Sequence, residues 1–365
     1  MRALPEPKSE PAFDSFRHAD FEARFLHALN EGALMVMTSV GHRTGLFDAM
    51  GGAEPMTIPE IAGRAGLHDR YIREWLGAMV AASVVETDPS TATYRLPAEH
   101  AALLTRAGTA NLAVFAQYIP QLGAVEDDII SCFRDGGGVP YDRYRRFHEI
   151  MAEDSGQTVL PALIGHILPL VPGLAGRLKA GMRVLDAGCG RGRALMLMAR
   201  TFPASRFVGY DLSPDAIGWA RDTARDEGLD NVEFVARDLS DFDETAEAAS
   251  FDFVTTFDAV HDQAKPMNLL RGIRKSLRED GVYLAQDIKG SGHHHHDVDH
   301  PVGTLLYTVS CMHCMSVSLA QGGEGLGAMW GRETAERYFN AAGFSRVEVR
   351  ELDHDFQNYF YVCRP

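Results

Sequence analysis

Apolar residues recur at helical spacing from Phe21 to Met50, with Phe21, Phe25, Leu29, Ala33 and Val36 near one face. Thr57-Ile-Pro-Glu60 follows, a threonine cap with an early proline and a glutamate at capping-box spacing, so a helix opens there. A break at Gly66 precedes a second helix from Asp69 to Ala82. Val84-Val-Glu86 and Thr93-Tyr-Arg-Leu96 read as two short strands around the turn Asp88-Pro89-Ser90. Helix, turn, helix and β-wing together predict a winged helix.

Further along, short apolar runs alternate with amphipathic ones. Strands are expected near 183–187, 207–211, 232–236, 252–257 and 281–287, with helices between them. Two last strands near 345–352 and 356–363, joined by a tight turn, predict a hairpin that adds an antiparallel strand. The expected architecture is α/β, a Rossmann-like domain of seven strands preceded by an α-helical winged-helix domain. Four segments result: a charged, disordered leader over 1–20, the winged helix over 21–97, a helical bridge over 98–178, and the α/β domain over 179–365. Gly136-Gly-Gly138 interrupts the bridge as a hinge or loop, and the last domain carries a long insertion at 290–331.

Composition narrows the partners. A formal net charge of −15 over 365 residues disfavours a nucleic-acid substrate, because phosphate neutralisation needs local positive charge. Between Thr57 and Leu96 four arginines and no lysines face five acids, which opposes DNA binding by the winged helix and leaves dimerisation as its role. Val159–Ala175 is the most apolar stretch, but Pro161, Pro169, Pro172 and His166 interrupt it, so no membrane span is expected. Five cysteines without framework spacing suggest reduced thiols in a cytoplasm.

The most informative segment is Val184-Leu-Asp186-Ala-Gly188-Cys-Gly190-Arg-Gly192. A buried strand ends in an acid, and glycines at every second position let backbone approach a ligand before a helix begins. A second strand, Phe207-Val-Gly-Tyr-Asp211, ends in another acid at the distance where such folds hold a ribose. A dinucleotide fingerprint would need a third glycine at the position of Arg193. The spacing instead resembles motif I of the class I S-adenosyl-L-methionine-dependent methyltransferases. The whole chain resembles the small-molecule methyltransferases with an N-terminal winged-helix dimerisation domain. More narrowly it is similar to a bacterial branch with His-Asp-Gln-Ala-Lys-Pro and Ser-Cys-Met-His-Cys-Met, here 261–266 and 310–315.

That resemblance implies a homodimer, a small-molecule acceptor and S-adenosyl-L-methionine as methyl donor. Asp186 and Gly188 would line its methionine end, Gly190 its backbone approach, and Asp211 its ribose. Leu212 would pack on adenine, Asp238 would receive the adenine amino group beside Arg237 and Leu239, and Phe257 and Asp258 would lie near the sulfonium.

His261, in Asp258-Ala-Val-His261-Asp262, stands where the resemblance places a general base, in a slightly shortened setting. The family flanks this histidine with two glutamates; Gln286 and Met329-Trp330 stand near those places, and Asp287 is expected on the other side of its strand. Glu324 is a substitute carboxylate. A diluted base favours a readily ionised acceptor, so a thiol is slightly preferred over a hydroxyl. Tyr307, Cys311, His313 and Cys314 would line the acceptor site from the insertion, with Tyr141, His148 and Met151 and the 21–50 helix forming a roof. His293–His296, Asp297, Asp299 and His300 offer a competing metal reading by composition, without a finger spacing, and no metal is assigned. A regulator that senses the donor and uses its winged helix on DNA is the reading from another class.

Overall fold

In the computed structural model, which describes residues 13–108 and 110–365, the first long helix is Ser15–Thr44. Asp14 caps it, accepting the amides of Phe16 at 2.9 Å and Arg17 at 3.1 Å. The expected leader is therefore helical from Ser15, and its residues 1–12 lie outside the described residues. Gly45, with φ of 74°, breaks the expected single helix into Ser15–Thr44 and Leu46–Met50. Helices Ile58–Ala65 and Asp69–Ala81 follow, and the Glu60 carboxylate accepts both the Thr57 amide and its hydroxyl at 2.7 Å. The wing is β1 (Glu86–Asp88) paired antiparallel with β2 (Thr93–Arg95). Phe47, Ile61, Ile72, Trp75 and Leu76 form the core of this unit.

The chain divides at Ile119/Pro120 into two compact units. The segment expected as one bridge is thus shared, 98–119 with the first unit and 120–178 with the second.

The second unit is built on seven strands: β3 (Arg183–Ala187), β4 (Arg206–Asp211), β5 (Val232–Ala236), β6 (Phe251–Phe257), β7 (Leu277–Ile288), β8 (Arg346–Leu352) and β9 (Asp355–Arg364). Their order is β5-β4-β3-β6-β7-β9-β8, with β3 to β7 parallel and β9 antiparallel to both neighbours. Helices on both faces bury both sides of the central strands, so residues of one strand feed two cores alternately. Val184, Phe253, Val282 and Leu284 enter one core; Leu185, Val254, Tyr283 and Ala285 enter the other, together with Val260 and Trp330. This parity decides the chemistry at the carboxyl end of β7.

The stretch Gly303–Ala320 is long and apolar enough to cross a membrane, but its His313, Cys314, Ser316 and Ser318 side chains are buried in the protein. Its middle, Ser310–Cys314, is a π-helical turn. Gly138 abuts the next turn so closely that an added Cβ would lie 1.9 Å from the Ser316 carbonyl oxygen. The Val139 amide donates to Ser316 Oγ at 2.8 Å, and Ser318 Oγ donates to the Gln263 carbonyl at 2.8 Å. Gly138 is thus a close-packed crossing over this helix, while a Cβ on Gly136 or Gly137 would meet nothing within 4 Å.

Candidate active site

The glycine loop leaves β3 with Gly188, Gly190 and Gly192 at φ of 79°, 53° and 66°. A Cβ on Gly190 would meet nothing within 4 Å, so open space lies over the loop there. Asp211 reaches across from β4: its Oδ2 accepts the Gly190 amide at 2.8 Å and its Oδ1 the Ser213 amide at 2.8 Å. A carboxylate has further lone pairs, which suits a ribose diol. Asp186 is buried at the end of β3 and accepts the Thr255 hydroxyl at 2.8 Å. Burial pushes its carboxyl up to about 7, against that hydrogen bond.

Beyond β4 and β5 the expected adenine residues differ in kind. Leu212 is 46% exposed, as a surface awaiting a planar partner would be. Asp238 caps its own turn by accepting the Ser240 amide at 2.8 Å. Arg237 is committed elsewhere, donating to the Thr245 hydroxyl at 2.9 Å and lying over Tyr210 and Phe242, and Leu239 is buried in the core. Three acids, open backbone over Gly190 and an exposed Leu212 fit S-adenosylmethionine.

At the end of β6 Phe257 is half-buried, and Asp258 takes φ of 51°, a left-handed turn rare for a non-glycine residue. Asp258 Oδ2 accepts Gln286 Nε2 at 3.0 Å. Burial, with Asp287 nearby, holds the Asp258 carboxyl well above the usual range. The turn sends Val260 into the core occupied by Tyr283 and Trp330, and His261 follows on that side.

Here the structure corrects the sequence reading. Gln286 and Asp287 do face opposite sides of β7, but His261 is on the Asp287 side. His261 Nδ1 lies 2.7 Å from Asp287 Oδ1, and both side chains are buried. Trp330 Nε1 donates to the same oxygen at 3.0 Å. Burial opposes a charged imidazole, but the Asp287 carboxylate outweighs it, and with Cys314 as a further hydrogen-bonding neighbour holds His261 well above the usual histidine range. His261 is therefore paired with a carboxylate, where the sequence led to Gln286 as its neighbour. Glu324 is not its partner, since it accepts the Tyr338 hydroxyl at 2.6 Å in an exposed position. The signal available in sequence was the shortened Asp258–His261 spacing, which changes where the chain lands after β6.

Asp262, next in line, is pushed up to about 6 by burial. Tyr141 reaches its Oδ2 at 3.5 Å and stacks on His148 with ring centroids 5.2 Å apart. His313 lies flat on Phe147 at 3.4 Å and meets Tyr141 and Tyr144 edge-on at 5.2 and 4.7 Å. The Tyr144 hydroxyl donates to the Met312 carbonyl, and Met151 is half-buried on the Phe147–Gln157 helix. Tyr141, His148, His313, Cys314 and His261 thus converge, and Phe147 and Tyr144, which the sequence analysis did not single out, pack against the same His313 ring.

Other expected residues fall elsewhere. Tyr307 donates to Asp297 Oδ2 at 2.8 Å and, with Cys311, borders a separate groove of 790 Å³ beside Ile129 and Phe133. Met329 is buried with Ile288, Leu306 and Cys314. Among the described residues no three His, Cys, Asp or Glu side chains converge as a metal site.

Residues 32–106 match the family described as an Rv2258c-like winged HTH domain, and residues 178–332 match a methyltransferase domain. A fatty-acid O-methyltransferase of Mycolicibacterium smegmatis is 32% identical over 109 residues, 30% of this chain and 38% of that protein. A 2-heptyl-1-hydroxyquinolin-4(1H)-one methyltransferase of Mycobacteroides abscessus is 32% identical over 119 residues, 32% of this chain and 49% of that protein. The chain thus spans less than half the length of these curated relatives. Human N-acetylserotonin methyltransferase, solved with S-adenosylmethionine, superposes with a TM-score of 0.66 at 16% identity, covering 98% of this chain and 99% of that one. An O-methyltransferase family protein of Burkholderia thailandensis superposes with a TM-score of 0.63 at 17% identity, covering 97% and 98%. At these identities the likeness is one of fold.

Proposed function

We propose that this chain, in which a methyltransferase domain follows a winged helix-turn-helix domain, transfers a methyl group from S-adenosylmethionine to a hydroxyl of a small molecule. The observation that carries the choice of oxygen is the His261–Asp287 contact at 2.7 Å. A hydroxyl holds its proton tightly near neutral pH, so its methylation needs a base whose cation is stabilised. Asp287 supplies that stabilisation, and with it the reason for preferring a thiol disappears. O-methyltransferase names among the relatives support the same acceptor.

Asp186, Gly188, Gly190, Asp211 and Asp238 would hold S-adenosylmethionine, which supplies an electrophilic methyl group on a sulfonium. The chain's own tasks are orientation and proton transfer. Asp287 fixes Nδ1, so the acceptor proton passes to Nε2 of His261, and the imidazolium formed is paired with the carboxylate. Tyr141, Phe147 and His313 cover the acceptor and exclude water, which keeps the reacting atoms in line.

Two wider parts of the reading rest on surface and composition. The Ser15–Thr44 helix exposes Phe21, Phe25, Leu26 and Leu29, an apolar face suited to a second copy of the chain. All five cysteines are free, which suits a reducing cytoplasm.

The test is release of S-adenosylhomocysteine from purified protein and S-adenosylmethionine against matched phenols, hydroxy acids, thiols and amines. Turnover of phenols or other hydroxyls, lost in His261→Ala, is the expected result. Turnover confined to thiols would overturn the oxygen assignment. Donor binding with silence across every panel would favour the regulator reading, and DNA binding would then be measured.

A further inference from the structure

His313 is fully buried, and neither of its ring nitrogens has a hydrogen-bond partner. Leaving a buried polar atom unpaired costs about 1–3 kcal/mol, so two on one ring is an arrangement that asks for a ligand. A third orphan is nearby, His148 Nε2, on the ring that stacks against Tyr141. Phe147 clamps His313 from one face, which fixes the directions of both nitrogens. Burial, and then the neighbouring His148 and His261 rings, hold His313 well below the usual histidine range. It is therefore a neutral imidazole, with one nitrogen that donates and one that accepts.

The surroundings are acidic. Asp211 and Asp262 both bear on the Tyr141 hydroxyl, whereas Asp258 is held toward its neutral form and Asp287 is paired with His261. A carboxylate brought among these groups would be repelled in a low-dielectric site. A neutral group would meet no such barrier.

Resting on the methyl-transfer reading, we infer that His313 recognises a second, uncharged group of the acceptor that both gives and takes a hydrogen bond, such as a hydroxyl or primary amide, and that acceptors carrying a carboxylate are rejected. The methylated hydroxyl meets His261 while the second group meets His313. Cys314, the residue after His313, is the side chain that neighbours His261, so one turn of helix presents both ends of the acceptor site.

The test uses calorimetry on the full chain saturated with S-adenosylhomocysteine, with 2-hydroxybenzamide, 2-methylphenol and 2-hydroxybenzoate as probes. The amide is expected to bind at least about tenfold more tightly than the methyl compound, and the carboxylate more weakly than either. In His313→Phe, which keeps a flat ring on Phe147, the amide and methyl compounds should bind within about twofold of one another. Equal binding of those two by the wild type, an unchanged preference in the variant, or tightest binding by the carboxylate would overturn the inference. If the variant does not fold, nitrogen NMR of the His313 ring in the wild type replaces it. A shift with the amide but not the methyl compound supports recognition, and no shift overturns it. Methylation of the same phenols is measured alongside. A kept amide preference without methylation of any phenol would sink the oxygen-transfer reading while leaving His313 recognition intact.

Discussion

Trp330 and His261 share one oxygen of Asp287: the indole N–H donates to Oδ1 at 3.0 Å, and His261 Nδ1 lies 2.7 Å from it. The Ile288 amide adds a third contact at 2.9 Å. Three contacts on one oxygen hold the carboxylate in a single orientation, and that orientation sets the imidazole's. Asp287→Asn should therefore lower kcat by about 10²–10⁴-fold. It should also move the acidic limb of the pH–rate profile to lower pH, because His261 loses the carboxylate that raises its affinity for protons. Trp330→Phe removes one donor and keeps most of the packing, so a fall of about tenfold with little change in KM is expected. Profiles of S-adenosylhomocysteine release check both, and an unmoved limb in Asp287→Asn would remove Asp287 from the mechanism.

Asp186 links pH to stability in the unliganded protein. Its carboxyl is raised from 3.8 to about 7 by burial, so the folded state favours the protonated form. Its contribution is intact below the unfolded value and is lost as pH rises through about 7. Asp186→Asn cannot ionise, so its stability relative to the wild type should increase by about 2 kcal/mol between about pH 5 and about pH 8. Urea titrations at the two pH values test this, and a constant difference would contradict it.

Gly190 and Gly192 should respond differently to alanine. A Cβ at Gly190 meets no protein atom within 4 Å, so the fold loses only about 1–2 kcal/mol from the left-handed backbone, while S-adenosylmethionine affinity falls at least about tenfold. At Gly192 a Cβ would lie 2.1 Å from the Phe234 ring, so a further loss of about 1–3 kcal/mol from overpacking is expected. Thermal unfolding and donor titration separate the two. Equal donor affinity in Gly190→Ala and wild type would place the donor elsewhere.

The exposed face of Ser15–Thr44 gives a prediction about assembly. Phe21 and Phe25 are 60% and 55% exposed, and an isolated helix gains little from such residues in water. Replacing both with glutamate should convert a dimer to a monomer in sedimentation velocity. A wild-type monomer would refute the assignment of that face.

The seven strands of the large sheet were legible because burial on both sides of β3, β6 and β7 leaves short apolar runs bounded by polar turns, whereas the exposed first wing strand, expected at 84–86, forms at Glu86–Asp88. Motif I was legible because its acid and glycines are contiguous in sequence. The partner of His261 was not. Strand parity placed Gln286 and Asp287 on opposite faces, but only the left-handed turn at Asp258 decides which face the histidine joins. Nor does helical spacing foretell that consecutive residues His313 and Cys314 are both buried. Gly136-Gly-Gly138 marked an interruption, while the reason for the glycine at 138, contact with Ser316, lies far away in the chain.

The π-helical turn at Ser310–Cys314 sets the rotational phase of everything after it. Such a turn holds one residue more than its α-helical counterpart. Were Ser310–Cys314 wound as regular α-helix with no residue removed, Met315–Ala320 would be rotated by about 100° relative to the preceding helix. Ser316 would swing away from the Val139 amide, and Ser318 from the Gln263 carbonyl. One contact tethers the segment leading to Tyr141, and the other the segment leaving His261. The wider winding of that one turn thus keeps both tethers in reach at once, a dependence that inspection of substituted side chains alone would overlook.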